Sequence, residues 1–324
     1  MLTNFSYIRP KSLKEAMKNL SAQGAGLHAG GTDLLGCLRD HVFEIKKLVS
    51  ISGLKELKGI NEIPGNGFRV GALTTIAEVA ENPMVNKHFA ALAQAAREVA
   101  SPQLRNQGTI GGNLCQKPRC WYYRGEFYCL RKGGNMCFAV AGENQYHCIM
   151  GGGPCFIVHP SDIAPALVAL DASVRVTGPK GSRSVPVEKF YVLPSEDVRR
   201  ETVLGPGEIV TEILLPTASG TRSSYRKVRT RASWDFALAG IALVLRFNGD
   251  VVANARAVLS GAAPIPWRSR EIEVAITGKN LDPDVIAKAA EAAMKNARPL
   301  KENGYKIPLF KGVIEEELAE IGRI

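Results

Sequence analysis

The residues of this chain best suited to chemistry are crowded into positions 108–162. Six of the seven cysteines lie there: Cys115, Cys120, Cys129, Cys137, Cys148 and Cys155. A glycine turn precedes them, Gly108-Thr109-Ile110-Gly111-Gly112-Asn113, and the run His159-Pro160-Ser161-Asp162 follows. No pair has the C-x-x-C spacing of a zinc ribbon or a thioredoxin-type site. Four thiolates on a long loop can wrap a [4Fe–4S] cluster, which needs four sulfurs but no fixed spacing. Gly133-Gly134 and Gly151-Gly152-Gly153 supply the backbone freedom for such wrapping. The spacing equally admits zinc, or thiols that are unligated or redox-active. Six candidates for four positions leave two in surplus.

A second glycine turn lies upstream, in Ala29-Gly30-Gly31-Thr32-Asp33-Leu34. Adjacent glycines permit positive φ and remove Cβ atoms, so backbone N–H groups can converge on an anion. The pattern is not the G-x-G-x-x-G dinucleotide fingerprint. Two such turns, about 80 residues apart, suit the pyrophosphate and the flavin end of one extended cofactor. The five histidines and the scattered carboxylates form no evident triad or dyad, so no catalytic acid–base residue is expected. His159 reads as a helix-start or packing residue.

The elements that position these residues follow from local pattern. Ser12 and Glu15 make a capping box for a helix over 13–20. Residues 26–29 read as a strand end, 30–33 as a tight turn into a helix, and 47–51 and 68–73 as strands. Thr75 and Glu78 form a second cap pair. Phe89, Leu92, Ala96 and Val99 recur at helical spacing and predict one helix over 84–100. That helix feeds Ser101 and the turn at Thr109. Ser161 caps a helix over 163–170, residues 172–177 and 183–186 form a hairpin, and 209–215 is a strand. Residues 216–220 read as a linker. Beyond it, strands over 223–229, 237–247 and 251–259 precede helices over 284–297 and 309–321. The fold class is α+β, with two domains at 1–218 and 221–324. The first divides at residue 60, and the cysteine-rich insertion 115–155 belongs to its second part.

Composition bounds the function. The chain has 324 residues, 45% of them apolar, enough for two cores. Its net charge of +10 is dispersed, which suits a basic surface, an acidic partner subunit or cofactor phosphates. No basic run with interleaved aromatics points to nucleic acid. The longest apolar run, 237–245, is far short of the roughly 20 residues of a membrane span. The first residues lack a charged and then apolar leader, so a cytoplasmic location is expected; export inside a folded complex would look the same.

Ala29-Gly30-Gly31-Thr32-Asp33, Thr109-Ile110-Gly111-Gly112-Asn113 and His159-Pro160-Ser161-Asp162 together resemble the FAD-binding (medium) subunit of the xanthine dehydrogenase family of molybdenum hydroxylases. Tyr225-x-Lys227-x-x-Arg229 and Asp235-x-Ala237 extend the resemblance over nearly the whole chain. The cysteine loop is similar to that of the branch containing 4-hydroxybenzoyl-CoA reductase and the bacterial molybdenum aldehyde oxidoreductases.

The resemblance implies a two-part FAD-binding domain of the vanillyl-alcohol-oxidase type. A C-terminal domain of the CO dehydrogenase flavoprotein type follows, with a three-stranded sheet and helices. It implies that Ala29, Gly30, Gly31, Thr32, Asp33, Leu34, Ser101, Thr109, Gly111, Gly112, Asn113, Asp162 and Lys227 bind FAD. Cys120, Cys129, Cys137 and Cys155 would hold a [4Fe–4S] cluster, with Cys115 as packing and Cys148 the rival of Cys155.

The implied function is an electron-transfer subunit beside a molybdenum-cofactor large subunit and a [2Fe–2S] small subunit. These would form a heterotrimer or a dimer of heterotrimers, serving a ferredoxin-like or other external carrier. The substrate classes it implies are aldehydes, purines and other N-heterocycles, and aromatic CoA thioesters. The alternatives are a stand-alone flavin oxidase of the vanillyl-alcohol type and a zinc-stabilised assembly module without redox function.

Overall fold

The computed structural model describes residues 2–217 and 219–323. It shows three units in chain order. The first is a parallel sheet of order β1-β3-β2, from β1 (Ser6–Ile8), β2 (Ala25–His28) and β3 (Lys47–Ser50), with α1 (Leu13–Leu20) and α2 (Leu34–Arg39) as crossovers. Ser12 caps α1 by accepting the Glu15 N–H at 3.2 Å. The Glu15 carboxylate reaches back to Lys11 N–H rather than to Ser12, so the capping box is displaced by one residue. Leu13, Ala16, Met17 and Leu20 form one stripe of α1 and pack on Val49, Ile51 and Leu54.

The second unit is an antiparallel sheet of order β4-β5-β8-β6-β7: β4 (Ile60–Ile63), β5 (Gly67–Gly71), β6 (Ser173–Gly178), β7 (Gly181–Pro186) and β8 (Ile209–Leu215). Its helices are α3 (Ile76–Glu81), α4 (Pro83–His88), α5 (Ala90–Glu98), α6 (Pro102–Gln107), α7 (Ile110–Leu114), α8 (Trp121–Arg124) and α9 (Ile163–Ala169). The single helix expected over 84–100 is two. Phe89 breaks it at φ −138° and ψ 56°, fully buried and edge-on to Phe68 at 5.3 Å. Tertiary packing of that ring overrides a periodicity that runs on unbroken. Thr75 and Glu78 form the expected capping box.

The third unit holds a four-stranded sheet where three strands were expected, of order β12-β11-β10-β9: β9 (Thr221–Val228), β10 (Ala239–Asn248), β11 (Val251–Ser260) and β12 (Trp267–Arg268). Three helices, not two, cover it: α10 (Arg270–Ile276), α11 (Pro283–Met294) and α12 (Lys306–Arg323). A two-residue strand and the short helix after it leave little periodic signal. In β10, Ile241, Leu243 and Leu245 face these helices, while Ala242 and Val244 join the core of the second unit around α5 and α9. Burial on both faces explains the apolar run 237–245. Ala218, where the first domain was expected to end, lies outside the described residues. Among the described residues, no helix is long and apolar enough to cross a membrane.

Candidate functional site

The two glycine turns meet. A Cβ on Gly30 would lie 2.1 Å from the Gln107 carbonyl oxygen, so the turns touch backbone to backbone. Gly31 takes φ +75°, and its Cβ would fall 2.7 Å from His28 Nε2. Ala29 packs at the edge of the first unit's core, and Leu34 packs near Leu38 and Ile45. The Thr32 hydroxyl lies against Gly108. Thr109 caps α7 by accepting the Gly112 N–H at 3.1 Å, and Gly111 N–H donates to Ala72 O at 2.9 Å. Ser101 caps α6, a structural task beside the left-handed Ala100 at φ +47°.

Asp33 ties the first turn to the cysteine loop. It accepts the Lys117 N–H at 2.7 Å and pairs with Arg119 at 2.9 Å and Arg124 at 2.7 Å. Farther along, Ser161 caps α9 as expected, accepting the Ala164 N–H at 3.0 Å, and its hydroxyl donates to Asn113 Oδ1. Asp162, buried, accepts Tyr225 O–H at 2.9 Å and Lys227 Nζ at 2.8 Å. Burial raises the Asp162 pKa, against the opposing charge of Lys227 and the hydrogen bonds of Lys227 and Tyr225. Lys227 donates also to the carbonyls of Glu98 and Asp235, which leaves its ammonium fully engaged.

Asp162 lines a pocket of about 430 Å³ between the cysteine loop and residues 230–238. The pocket is within the range of about 300–1,000 Å³ usual for small-molecule sites. Trp121, Val158 and Phe236 give it apolar walls, and Arg119, His147 and His159 give it polar ones. Arg119 Nε, His147 Nδ1 and His159 Nε2 are buried without partners. Buried polar atoms are normally hydrogen-bonded, and these three unpartnered atoms belong to residues that line one pocket. Burial lowers His159 to about 3, with its ring edge-on to Tyr191 at 4.3 Å. His159 therefore packs, as expected, and also faces the pocket.

Cys120, Cys129, Cys137 and Cys155 line one small cavity, with Tyr122, Tyr123, Leu130, Arg131, Phe138 and Ile157. Backbone N–H groups reach three of the sulfurs: Tyr122 and Tyr123 at Cys120, Ala139, Val140 and Phe156 at Cys137, and Ile157 at Cys155. The Cys155 thiol donates to Cys137 and pulls it down to about 6, while Cys155 is raised by the same bond. Burial pushes Cys120 up to about 11. Among the described residues, no three His, Cys, Asp or Glu side chains converge on a single metal-ion position. The four thiols ring a cavity rather than a point. Gly133 and Gly153, at φ +97° and +113°, make the turns of the loop. Cys115 packs on the second unit's core. Cys148, buried, is raised to about 12 by desolvation, with the Lys306 ammonium opposing.

Arg119, His147 and Tyr225 were missed as site residues. Tyr225 carried a signal, because it stands two positions before Lys227 on β9 and so shares its face. Arg119 and His147 carried none beyond lying in the cysteine loop.

Two apposed glycine turns and a pocket lined from both the second and third units fit a protein that binds an extended cofactor. Residues 3–218 match the family model of the FAD binding domain in molybdopterin dehydrogenase, and residues 223–311 that of the CO dehydrogenase flavoprotein C-terminal domain. The chain belongs to the FAD-binding medium-subunit family of xanthine and CO dehydrogenases, and is the flavoprotein component of an oxidoreductase. It is 35% identical over 323 residues to the aldehyde oxidoreductase FAD-binding subunit PaoB of Escherichia coli (strain K12), covering 98% of both chains. It is 30% identical to the carbon monoxide dehydrogenase medium chain of Hydrogenophaga pseudoflava, over 92% of this chain and 88% of that one. A solved structure of carbon monoxide dehydrogenase from Hydrogenophaga pseudoflava superposes with a TM-score of 0.77 at 28% identity, covering 98% of this chain and 96% of that one.

Proposed function

We propose that this chain is the FAD- and [4Fe–4S]-carrying electron-transfer subunit of an aldehyde-oxidising molybdenum hydroxylase. The observation that carries the reading is the meeting of Cys120, Cys129, Cys137 and Cys155 around one cavity directly beside the pocket of Asp162. FAD exchanges electrons singly or in pairs, and so couples one-electron clusters to a two-electron reaction. The chain's own residues do the positioning. The glycine turns (Ala29 to Leu34, and Thr109, Gly111, Gly112 and Asn113) hold the phosphate and ribityl end. Ser101 braces the approach to the second turn. The pocket takes the ring, with Asp162 and Lys227 fixing the wall behind it. The N–H groups around the sulfurs of Cys120, Cys137 and Cys155 stabilise thiolate charge, as cluster sites require.

The domain division at 1–218 and 221–324 is part of this proposal. So are the partners: a molybdenum-cofactor large subunit and a [2Fe–2S] small subunit, in a heterotrimer or a dimer of heterotrimers. A ferredoxin-like carrier is proposed to dock near the cysteine loop, and the assembly is placed in the cytoplasm. Aldehyde is preferred as substrate because the relative that is 35% identical over 98% of both chains is a subunit of an aldehyde oxidoreductase.

The test uses the purified full chain with Cys129→Ser. The reduced-cluster EPR signal is expected to vanish while flavin stays bound. Full retention of that signal sinks the cluster assignment. Aldehyde turnover by the isolated chain would point instead to a stand-alone flavin oxidase. Stoichiometric zinc without iron would point to an assembly module.

A further inference from the structure

Cys120 stands apart from the other three thiols of the cavity. Among the described residues it alone lines both the thiol cavity and the pocket of Asp162. Its sulfur is 3.3 Å from His147 Nε2. The ring of His147 also lines the pocket, and its Nδ1 is buried there without a partner. One imidazole on the pocket wall therefore touches the sulfur shared by the two cavities.

The loop holds that imidazole in place from several sides. Its backbone N–H donates to Asn144 O at 3.0 Å, and its carbonyl accepts Asn303 Nδ2 at 3.0 Å. Trp121 and Tyr122 lie beside the ring at 6.3 and 6.1 Å between centroids. Asn144 is itself clamped to Glu302, since each accepts a hydrogen bond from the other's backbone N–H at 2.9 Å. His147 is 4% exposed, so neither nitrogen competes with bulk water.

We propose that His147 is a positioning residue that sets the reduction potential of a cluster held by the four thiols, by donating its Nε2–H to the sulfur of Cys120. The proposal rests on the cluster reading above. An N–H···S bond stabilises the more negative, reduced state of a cluster and raises its potential. The same bond fixes the tautomer. With the proton on Nε2, Nδ1 is left as an acceptor. Backbone N–H groups serve Cys120, Cys137 and Cys155 alike, but Cys120 also has the imidazole of His147 at 3.3 Å.

The test compares the full chain with His147→Leu and His147→Gln, reading the cluster's midpoint potential by EPR-monitored redox titration. The expected result is a shift to more negative potential in His147→Leu, with unchanged iron and sulfide content. His147→Gln, which keeps an N–H donor, should recover part of the shift. Equal potentials in all three chains overturn the proposal while leaving the cluster intact. A wild-type chain without iron, sulfide or a reduced-cluster signal overturns the cluster reading and the proposal together. Should both variants fail to fold, pulsed EPR on the wild-type chain with 15N-labelled histidine decides. A histidine nitrogen coupled to the reduced cluster supports the proposal, and no coupling overturns it.

Discussion

The ammonium of Lys227 sits 2.8 Å from the carboxylate of Asp162, joining β9 of the C-terminal unit to the start of α9 in the second unit. The Lys227 side chain is 0% exposed, and that of Asp162 is 6% exposed. Removing one member of a buried pair leaves an uncompensated charge, which costs about 3–5 kcal/mol. Lys227→Met should therefore destabilise the chain by about that amount in denaturant unfolding. It should also weaken flavin retention, because Asp162 lines the pocket. The double change Lys227→Met with Asp162→Leu should be milder than the single one, since it leaves no lone charge. A double variant as unstable as the sum of the two singles would show that the pair is not the source.

The apposition of the glycine turns is equally open to measurement. Gly30→Ala places its Cβ 2.1 Å from a backbone oxygen that no side-chain rotation can move. Forced overpacking of this kind costs about 1–3 kcal/mol. The separation of the two turns should widen, and bound FAD per chain should fall. Gly53→Ala is the control, because nothing lies within 4 Å of its Cβ. Its effect should stay within about 0.5 kcal/mol. Equal flavin content in wild type and Gly30→Ala would refute the idea that this contact shapes the site.

What the sequence disclosed and what it hid divide by range. The caps at Ser12, Thr75 and Ser161 were legible because each donor and acceptor is three residues apart. Three strands of the C-terminal unit were legible because each is a local run, the continuous apolar one along β10 above all. The break at Phe89 was hidden, since Val85, Phe89 and Leu92 keep helical spacing across it and the cause is Phe68, on β5. The brace from Asp33 to Arg119 and Arg124 was hidden for the same reason. Asp33 looked like part of an anion-binding turn, but its carboxylate is held by the loop. Nothing in the sequence marked Lys306 as buried. Its ammonium donates to Gly261 O at 2.9 Å in the interior, where burial lowers it to about 8.

His159 gives the chain an acid-sensitive element. Its folded pKa is about 3, against an ordinary value of 6.5, because burial disfavours the imidazolium. A histidine with a depressed folded pKa binds its proton more readily in the unfolded chain. Stability is therefore full above about pH 6.5 and is lost as pH falls toward about 3. The slope is at most about 1.4 kcal/mol per pH unit for one such group. His159→Phe keeps an aromatic edge against Tyr191 and removes the titration. Urea unfolding at pH 7 and pH 5 should show a smaller loss in the variant than in wild type. An identical loss in both would place the acid sensitivity elsewhere.

The fourth ligand of the proposed cluster can be decided by a pair of substitutions. Cys155 lines the cavity with Cys120, Cys129 and Cys137, and its thiol donates to Cys137. Cys148 is fully buried but does not line that cavity, and the Lys306 ammonium favours its thiolate against the desolvation. Cys155→Ala should abolish iron and sulfide incorporation in the full chain while leaving flavin bound. Cys148→Ala should keep both cofactors and lose stability through the small void it leaves, about 1 kcal/mol. Iron analysis, labile sulfide and the visible spectrum read all of these together. Loss of iron in Cys148→Ala with retention in Cys155→Ala would reverse the assignment, and would require the strand of loop from Cys148 to Phe156 to turn its sulfurs over.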